Sequence, residues 1–250
     1  MNKTLEKILK NRLTIPFTPF YRQYPYRGGI SIHSADARGC VDMDLGFFCN
    51  RIPKAANSTV VTNLARLKFG RDIPSRLAKK MFRTPSALNF REAARVGSLF
   101  KFTVVRNPYT RILSAYLDKV ERRALRENKE SSFRDFLQAL KDGKLYSNAH
   151  WAPQNALLLL PVSELDFVGR VENLAPDLSR INEKIMGRVP EGPLKSFLGN
   201  ATGAGNKLLA YYDAETAELV RKLYRKDFEI FSYPEDLPLP ADTPSGEKGL

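Results

Sequence analysis

Cysteine is nearly missing from this chain: Cys40 and Cys49 are the only two among 250 residues. Two thiols cannot build the disulfide framework of a small secreted domain, and no histidine cluster at metal-ligand spacing accompanies them. A chain of this length buries enough apolar surface to fold without such staples. A reducing compartment is therefore the expectation. Long apolar runs are missing as well. The longest, Ala156 to Leu160, falls far short of the ~20 residues of a spanning helix. Residues 1–12 lack the apolar centre and small-residue cleavage site of a secretory signal. Leu5, Ile8 and Leu9 there read instead as a short amphipathic helix. We expect a soluble, cytoplasmic protein with no transmembrane segment. Histidine is equally scarce, with only His33 and His150, which narrows the search for a base titrating near neutrality. No internal repeat is visible, and no signal for an oligomeric state.

Positive charge is abundant. There are 40 Lys and Arg against 27 Asp and Glu, a net +13. Between Arg51 and Arg126 the count is 18 basic to 4 acidic, net +14, and the rest of the chain is net −1. One stretch thus carries the whole imbalance. It suits an anionic ligand such as a nucleotide, a nucleic acid, an acidic lipid or an acidic glycan; the plainer alternative is a solvated basic face.

The pattern of elements is α/β. Residues 1–43 read as a loosely structured N-terminal arm, with Pro16, Pro19, Pro25 and Gly28-Gly29 as breakers, and 234–250 as a flexible tail. Between them lies a single domain, 44–233. Leu45 to Ile52 and Leu99 to Val105 read as buried strands, and Asp166 to Val171 as a short one. Helices are expected over Ser58 to Phe69, with Val60, Leu64, Leu67 and Phe69 inward, and over Pro108 to Arg126, Phe133 to Leu140, Asn173 to Met186 and Ala214 to Lys226. Residues 71–98 read as basic and mostly helical. Strands alternating with helices predict a central parallel sheet flanked by helices, with ligands at the carboxyl ends of the strands.

Two strand ends carry chemistry. The first is the run Arg51 to Thr59, RIPKAANST. A strand-loop-helix turn brings backbone N–H groups and a helix N-terminus to one point, which favours phosphate. Asn57 is the expected N-cap, Ser58 and Thr59 add hydroxyls, Ala55 and Ala56 let a ligand approach the backbone, and Lys54 adds a point charge. The glycine loop of nucleotide kinases is absent, which counts against that class. At the second end, Arg106-Asn107-Pro108 starts a helix with Asn as cap and Pro at the first position. Ser114 lies about two turns along it, roughly 9–10 Å at ~1.5 Å per residue. Arg106 can reach much of that way, so the two can hold one anion. A packing serine and a surface salt bridge are the bland alternatives.

These two runs resemble the carbohydrate sulfotransferases that use 3'-phosphoadenosine 5'-phosphosulfate (PAPS), in particular the group containing the chondroitin and dermatan 4-O-sulfotransferases. The resemblance continues through His150-Trp151-Ala152-Pro153-Gln154, through Asp166-Phe167-Val168-Gly169 with Glu172, and through Tyr211-Tyr212, Tyr224, Asp227-Phe228 and Phe231. It spans about residues 45 to 233. Secretory relatives carry a membrane anchor, and cysteines where Leu157 to Leu160 stand here; both departures agree with a reducing compartment.

The resemblance implies a P-loop-like sulfotransferase fold and transfer of a sulfuryl group to a hydroxyl, with a carbohydrate or glycolipid as acceptor. It implies that Arg51, Lys54, Ala55, Ala56, Asn57, Ser58 and Thr59 surround the 5'-phosphosulfate, and that Arg106 and Ser114 bind the 3'-phosphate. Lys54 would stabilise the leaving oxygen and His150 would be the base, with an acidic residue as the alternative. The donor is already activated, so no metal is required. A basic nucleic-acid-binding module is the competing reading. Against it, the aromatics lie in apolar periodic runs and are not interleaved with Lys and Arg.

Overall fold

The computed structural model describes residues 9–187 and 202–238. Four strands form one sheet in the order β1 (Gly39–Asp42), β2 (Phe47–Asn50), β3 (Phe100–Val105), β4 (Phe167–Arg170). β2, β3 and β4 run parallel. The parallel sheet expected from sequence is in fact mixed, because β1 pairs antiparallel with β2.

Side chains alternate across the sheet and each face is covered by helices. Phe47, Cys49, Phe102 and Val104 pack with α1 (Asn57–Phe69) and α4 (Leu174–Met186). Phe48 and Val105 face the opposite layer, built on α2 (Pro108–Tyr116) and α5 (Ala214–Ile230). Between them in sequence comes α3 (Phe133–Ala139). The helix expected to Arg126 does continue past Tyr116, through one π turn at Leu117–Glu121 and a last α-helical piece at Arg122–Arg126. In α1 the buried face is Val60, Val61, Leu64 and Ala65, whereas Phe69 is 38% exposed. The segment 71–98 is helical over about half its length, but in short pieces, Ser75–Ala78, Pro85–Ala87, Phe90–Ala94 and Val96–Ser98, and not in one long helix.

The segment read as a loosely structured arm is well built over its described part. Ile15, Phe20, Tyr21, Ile30 and Ala35 are buried, and Phe20 stacks on Phe48 at 5.6 Å between ring centroids. Pro16 and Pro19 sit at helix starts, where proline's missing N–H costs nothing, so they do not act as breakers. The Tyr26 hydroxyl donates to the Ala156 carbonyl at 2.6 Å, tying this segment to a loop 130 positions further along the chain. The amphipathic helix expected at 1–12 lies largely outside the described residues, as does most of the tail 234–250.

Candidate functional site

The turn from β2 into α1 is held from below. Asn50 is buried; its side chain accepts from Leu159 N at 2.7 Å and donates to Leu157 O at 3.2 Å. The chain then has to reverse quickly, and it does so with two left-handed residues, Lys54 (φ 68°) and Ala56 (φ 51°). For residues with a Cβ this costs about 1–2 kcal/mol each, and such strain concentrates where backbone groups are aimed at a ligand. Ala56 takes the cap position and makes no side-chain cap. Asn57, expected as N-cap, falls inside the first turn because the left-handed Ala56 already starts the helix. The N–H groups of Asn57, Ser58 and Thr59 have no intrahelical acceptor there and are free for an anion.

The turn from β3 into α2 is capped as the sequence reading expects. Asn107 Oδ1 accepts from Tyr109 N at 3.0 Å, and Pro108 opens the helix. Gln154 clamps the strand end: its Oε1 accepts from Arg106 N at 2.9 Å and its Nε2 donates to Arg106 O at 2.8 Å. Gln154 is fixed in turn by Asp227 of α5, whose carboxylate accepts from the N–H groups of Gln154 and Asn155. The Arg106 guanidinium donates to Thr110 Oγ1 at 2.9 Å and reaches the Lys54 carbonyl at 3.3 Å, so the two strand ends touch. Arg111, 1% exposed, donates to the carbonyls of Pro53, Ala152 and Ala149, binding the first loop to the segment that carries His150.

Between these turns opens a cavity of about 630 Å³. Lys54, Ala56, Asn57, Ser58, Thr59, Arg106, Ser114 and His150 all line it. Of the site residues read from sequence, Arg51 and Ala55 do not. Arg51 is buried behind the loop, where it donates to the Ala37 carbonyl at 2.7 Å and to Asn57 Oδ1 at 3.5 Å. Ala55 is buried with its N–H on the Ile52 carbonyl.

Further lining residues were missed, Asp118, Lys79, Thr202 and Lys119 among them. Asp118 lies one turn beyond Ser114 on the same helical face, a spacing that marks it in the sequence. Its carboxylate meets Lys54 Nζ at 3.0 Å, Lys119 Nζ at 3.1 Å and Arg122 Nη1 at 3.0 Å. Burial would raise its pKa, but the contacts with Lys54 and Lys119 outweigh this and lower it to about 2. Burial also lowers the pKa of Lys54, partly offset by Asp118. Lys79 reaches in from the 71–98 segment and donates to Ser58 Oγ at 3.0 Å. Thr202 donates to Ser114 Oγ at 3.0 Å. Lys119 completes a lining with far more positive than negative charge.

His150 is oriented by a near neighbour. Asn148 Oδ1 accepts from the His150 backbone N–H at 3.0 Å and lies 2.8 Å from Nδ1. An amide oxygen only accepts, so Nδ1 carries the proton and Nε2 is left with its lone pair. Burial, then the charges of Lys119, Arg38, Lys54 and Arg111, lower the imidazole pKa to about 4. The ring is therefore neutral at pH 7.

The arrangement can hold a doubly anionic ligand across two strand ends, with a neutral imidazole and a lysine beside it. No curated protein and no solved structure matches the chain. The model of the sulfotransferase family matches residues 39–234. That match begins on the first residue of β1 and ends just past α5, covering both turns, the His150 segment and the whole sheet. The chain belongs to the sulfotransferase family, whose chemistry is sulfuryl transfer.

Proposed function

We propose that this protein transfers the sulfuryl group of PAPS to a hydroxyl of a carbohydrate or glycolipid. The observation that carries the reading is the single cavity shared by two anion-binding turns. Lys54, Ser58 and Thr59 stand on one side and Arg106 and Ser114 on the other. PAPS presents two anionic groups on one nucleoside, and this spacing of cationic and hydroxyl donors suits both. The first turn would act as a P-loop without glycine, cradling the 5'-phosphosulfate with backbone N–H groups at the start of α1.

In this reading the acceptor hydroxyl attacks sulfur in line with the bridging oxygen. The acceptor O–S bond forms as the S–O bond to the 5'-phosphate breaks. The electron pair stays on the former bridging oxygen, where Lys54 meets the growing charge. The hydroxyl proton goes to His150 Nε2, which Asn148 leaves unprotonated. Adenosine 3',5'-bisphosphate departs. The phosphosulfate is activated by its own anhydride, so the step needs no metal.

The test compares ligands by thermal shift, since preferential binding to the native state raises its stability by mass action. Adenosine 3',5'-bisphosphate should stabilise the protein more than ATP with Mg²⁺ or a DNA oligomer does. Labelled PAPS offered with sugar, glycolipid and phenolic hydroxyls should then label a sugar-bearing acceptor. Stabilisation by ATP alone, or labelling of phenols only, would overturn the corresponding half of the reading.

A further inference from the structure

Among the described residues, every charged group lining the cavity has a partner of opposite charge or a carbonyl, except one. Lys54 is paired with Asp118, and so are Lys119 and Arg122. Arg106 donates to the Lys54 carbonyl. Lys79 meets, among the described residues, only the neutral Ser58 hydroxyl, at 3.0 Å. Among the described residues no carboxylate lies within ion-pair distance of it. Its ammonium group is partly buried, and burial followed by the like charges of Arg51 and Lys119 lowers its pKa. A partly desolvated cation facing other cations is costly to keep unless something anionic relieves it. Ser58 is the residue whose hydroxyl and backbone N–H stand at the start of α1, so the relieving charge would sit at that helix N-terminus.

We infer that Lys79 is a second cation of the donor site, closing on the 5'-phosphate of PAPS beside Ser58. The inference rests on the reading of this cavity as the PAPS site. It also assigns a role to the basic segment 71–98, whose short turn Ser75–Ala78 presents Lys79 to the cavity. The two lysines divide the work. Lys54 faces the bridging oxygen. Lys79 and Ser58 hold the non-bridging oxygens of the same phosphate, which gains one negative charge as the S–O bond breaks and the electron pair stays with it. Lys79 therefore touches substrate, and it should count both in donor binding and in transfer.

Lys79 is half-exposed at the end of a short turn, so replacing it should leave the fold intact. Lys79→Met keeps the length of the side chain and removes the charge; Lys79→Arg keeps the charge. Binding is measured by calorimetry for adenosine 3',5'-bisphosphate and for adenosine 3'-monophosphate, which lacks the 5'-phosphate. Lys79→Met should weaken the bisphosphate by about 10- to 100-fold, the range of a charge-assisted contact, and leave the monophosphate unchanged. Lys79→Arg should restore most of the loss. Equal weakening of both nucleotides, or weakening of neither, overturns the assignment; Lys79→Gln serves as a second neutral variant should the methionine protein not fold. A wild-type protein that binds neither nucleotide overturns the PAPS reading itself. Wild-type binding with an unaltered Lys79→Met overturns only Lys79.

Discussion

Lys54 Nζ and Asp118 Oδ2 stand 3.0 Å apart inside the cavity, with only 9% and 15% of their side chains exposed. The lysine proposed to meet the leaving oxygen is thus held by a carboxylate before any donor arrives. The donor must compete with Asp118 for it, and Asp118 also fixes where the ammonium waits.

That competition gives the first prediction. Asp118→Asn removes one negative charge from a cavity proposed to hold an anion, so adenosine 3',5'-bisphosphate should bind about tenfold tighter. One charge at several ångströms is worth on the order of 1–4 kcal/mol at intermediate dielectric. The same variant should turn over more slowly, because Lys54 is no longer held in place. Lys54→Ala should lower single-turnover transfer by orders of magnitude with the fold retained. Calorimetry beside rapid-quench rates checks both. Faster turnover in Asp118→Asn would make the carboxylate a pure inhibitor of Lys54, and near-normal turnover in Lys54→Ala would remove the lysine from the mechanism.

His150 gives the second prediction, through pH. Its pKa is lowered from 6.5 to about 4, so the free protein keeps a neutral base well below pH 6. The acid limb of kcat/KM, which reports the free enzyme, should therefore fall near pH 4 and not near 6.5. The stability effect has a definite sign. Below pH 6.5 the unfolded chain takes up a proton here that the folded one refuses, so His150 destabilises the fold as pH drops from 6.5 towards 4 and is neutral above 6.5. His150→Ala should cost about 10²–10⁴-fold in turnover, with adenosine 3',5'-bisphosphate still bound. Retained turnover, or joint loss of binding and fold, would make His150 structural.

Arg106 and Ser114 give the third, as a double difference. Arg106→Ala should weaken adenosine 3',5'-bisphosphate by roughly 10- to 150-fold, equivalent to about 1.5–3 kcal/mol. Binding of adenosine 5'-monophosphate, which lacks the 3'-phosphate, should barely change. Ser114→Ala should show the same selectivity with a smaller loss. Thr202 already donates to Ser114 Oγ, which leaves the serine's own proton for the phosphate. Equal losses for both nucleotides would show that the pair supports the pocket without reading that phosphate.

The legible parts of this fold are those fixed by local patterning. The three parallel strands are apolar runs bounded by turn residues, and Asn107-Pro108 capped α2 as those residue types dictate. The arm was not legible, because Pro16 and Pro19 punctuate a buried helix start and a loose loop in the same way. What decides between them is distant: Phe20 against Phe48, and Tyr26 against a carbonyl 130 positions away. In the site, the cationic loop and Arg106 could be read because charge and strand end coincide. Lys79 could not, since its partner Ser58 is 21 positions away across an irregular segment. The direction of Arg51 was equally hidden. It turns from the cavity to the Ala37 carbonyl, in a stretch taken for loose chain.

Ala56 gives the last prediction. Its left-handed backbone is a position that favours glycine. Ala56→Gly should therefore stabilise the fold by about 0.5–1 kcal/mol, the relief of strain less the added freedom of the unfolded chain. For a chain of this size that is a rise of roughly 1–4 °C in Tm, measured by calorimetry without ligand. A lower Tm would mean that the Ala56 methyl contributes more to packing than its backbone costs.

Asp227 has a consequence for the order in which this protein comes into being. Its buried carboxylate receives the N–H groups of Gln154 and Asn155, and Gln154 in turn grips the backbone of Arg106. The two strand-end turns and the His150 segment are all synthesised before residue 155, but the carboxylate that holds Gln154 and Asn155 is made some seventy residues later. A nascent chain still short of α5 therefore carries every proposed substrate-contacting group but lacks the carboxylate that fixes Gln154 behind Arg106. The Asp227 clamp on Gln154 and Asn155 can form only once the end of α5 has left the ribosome.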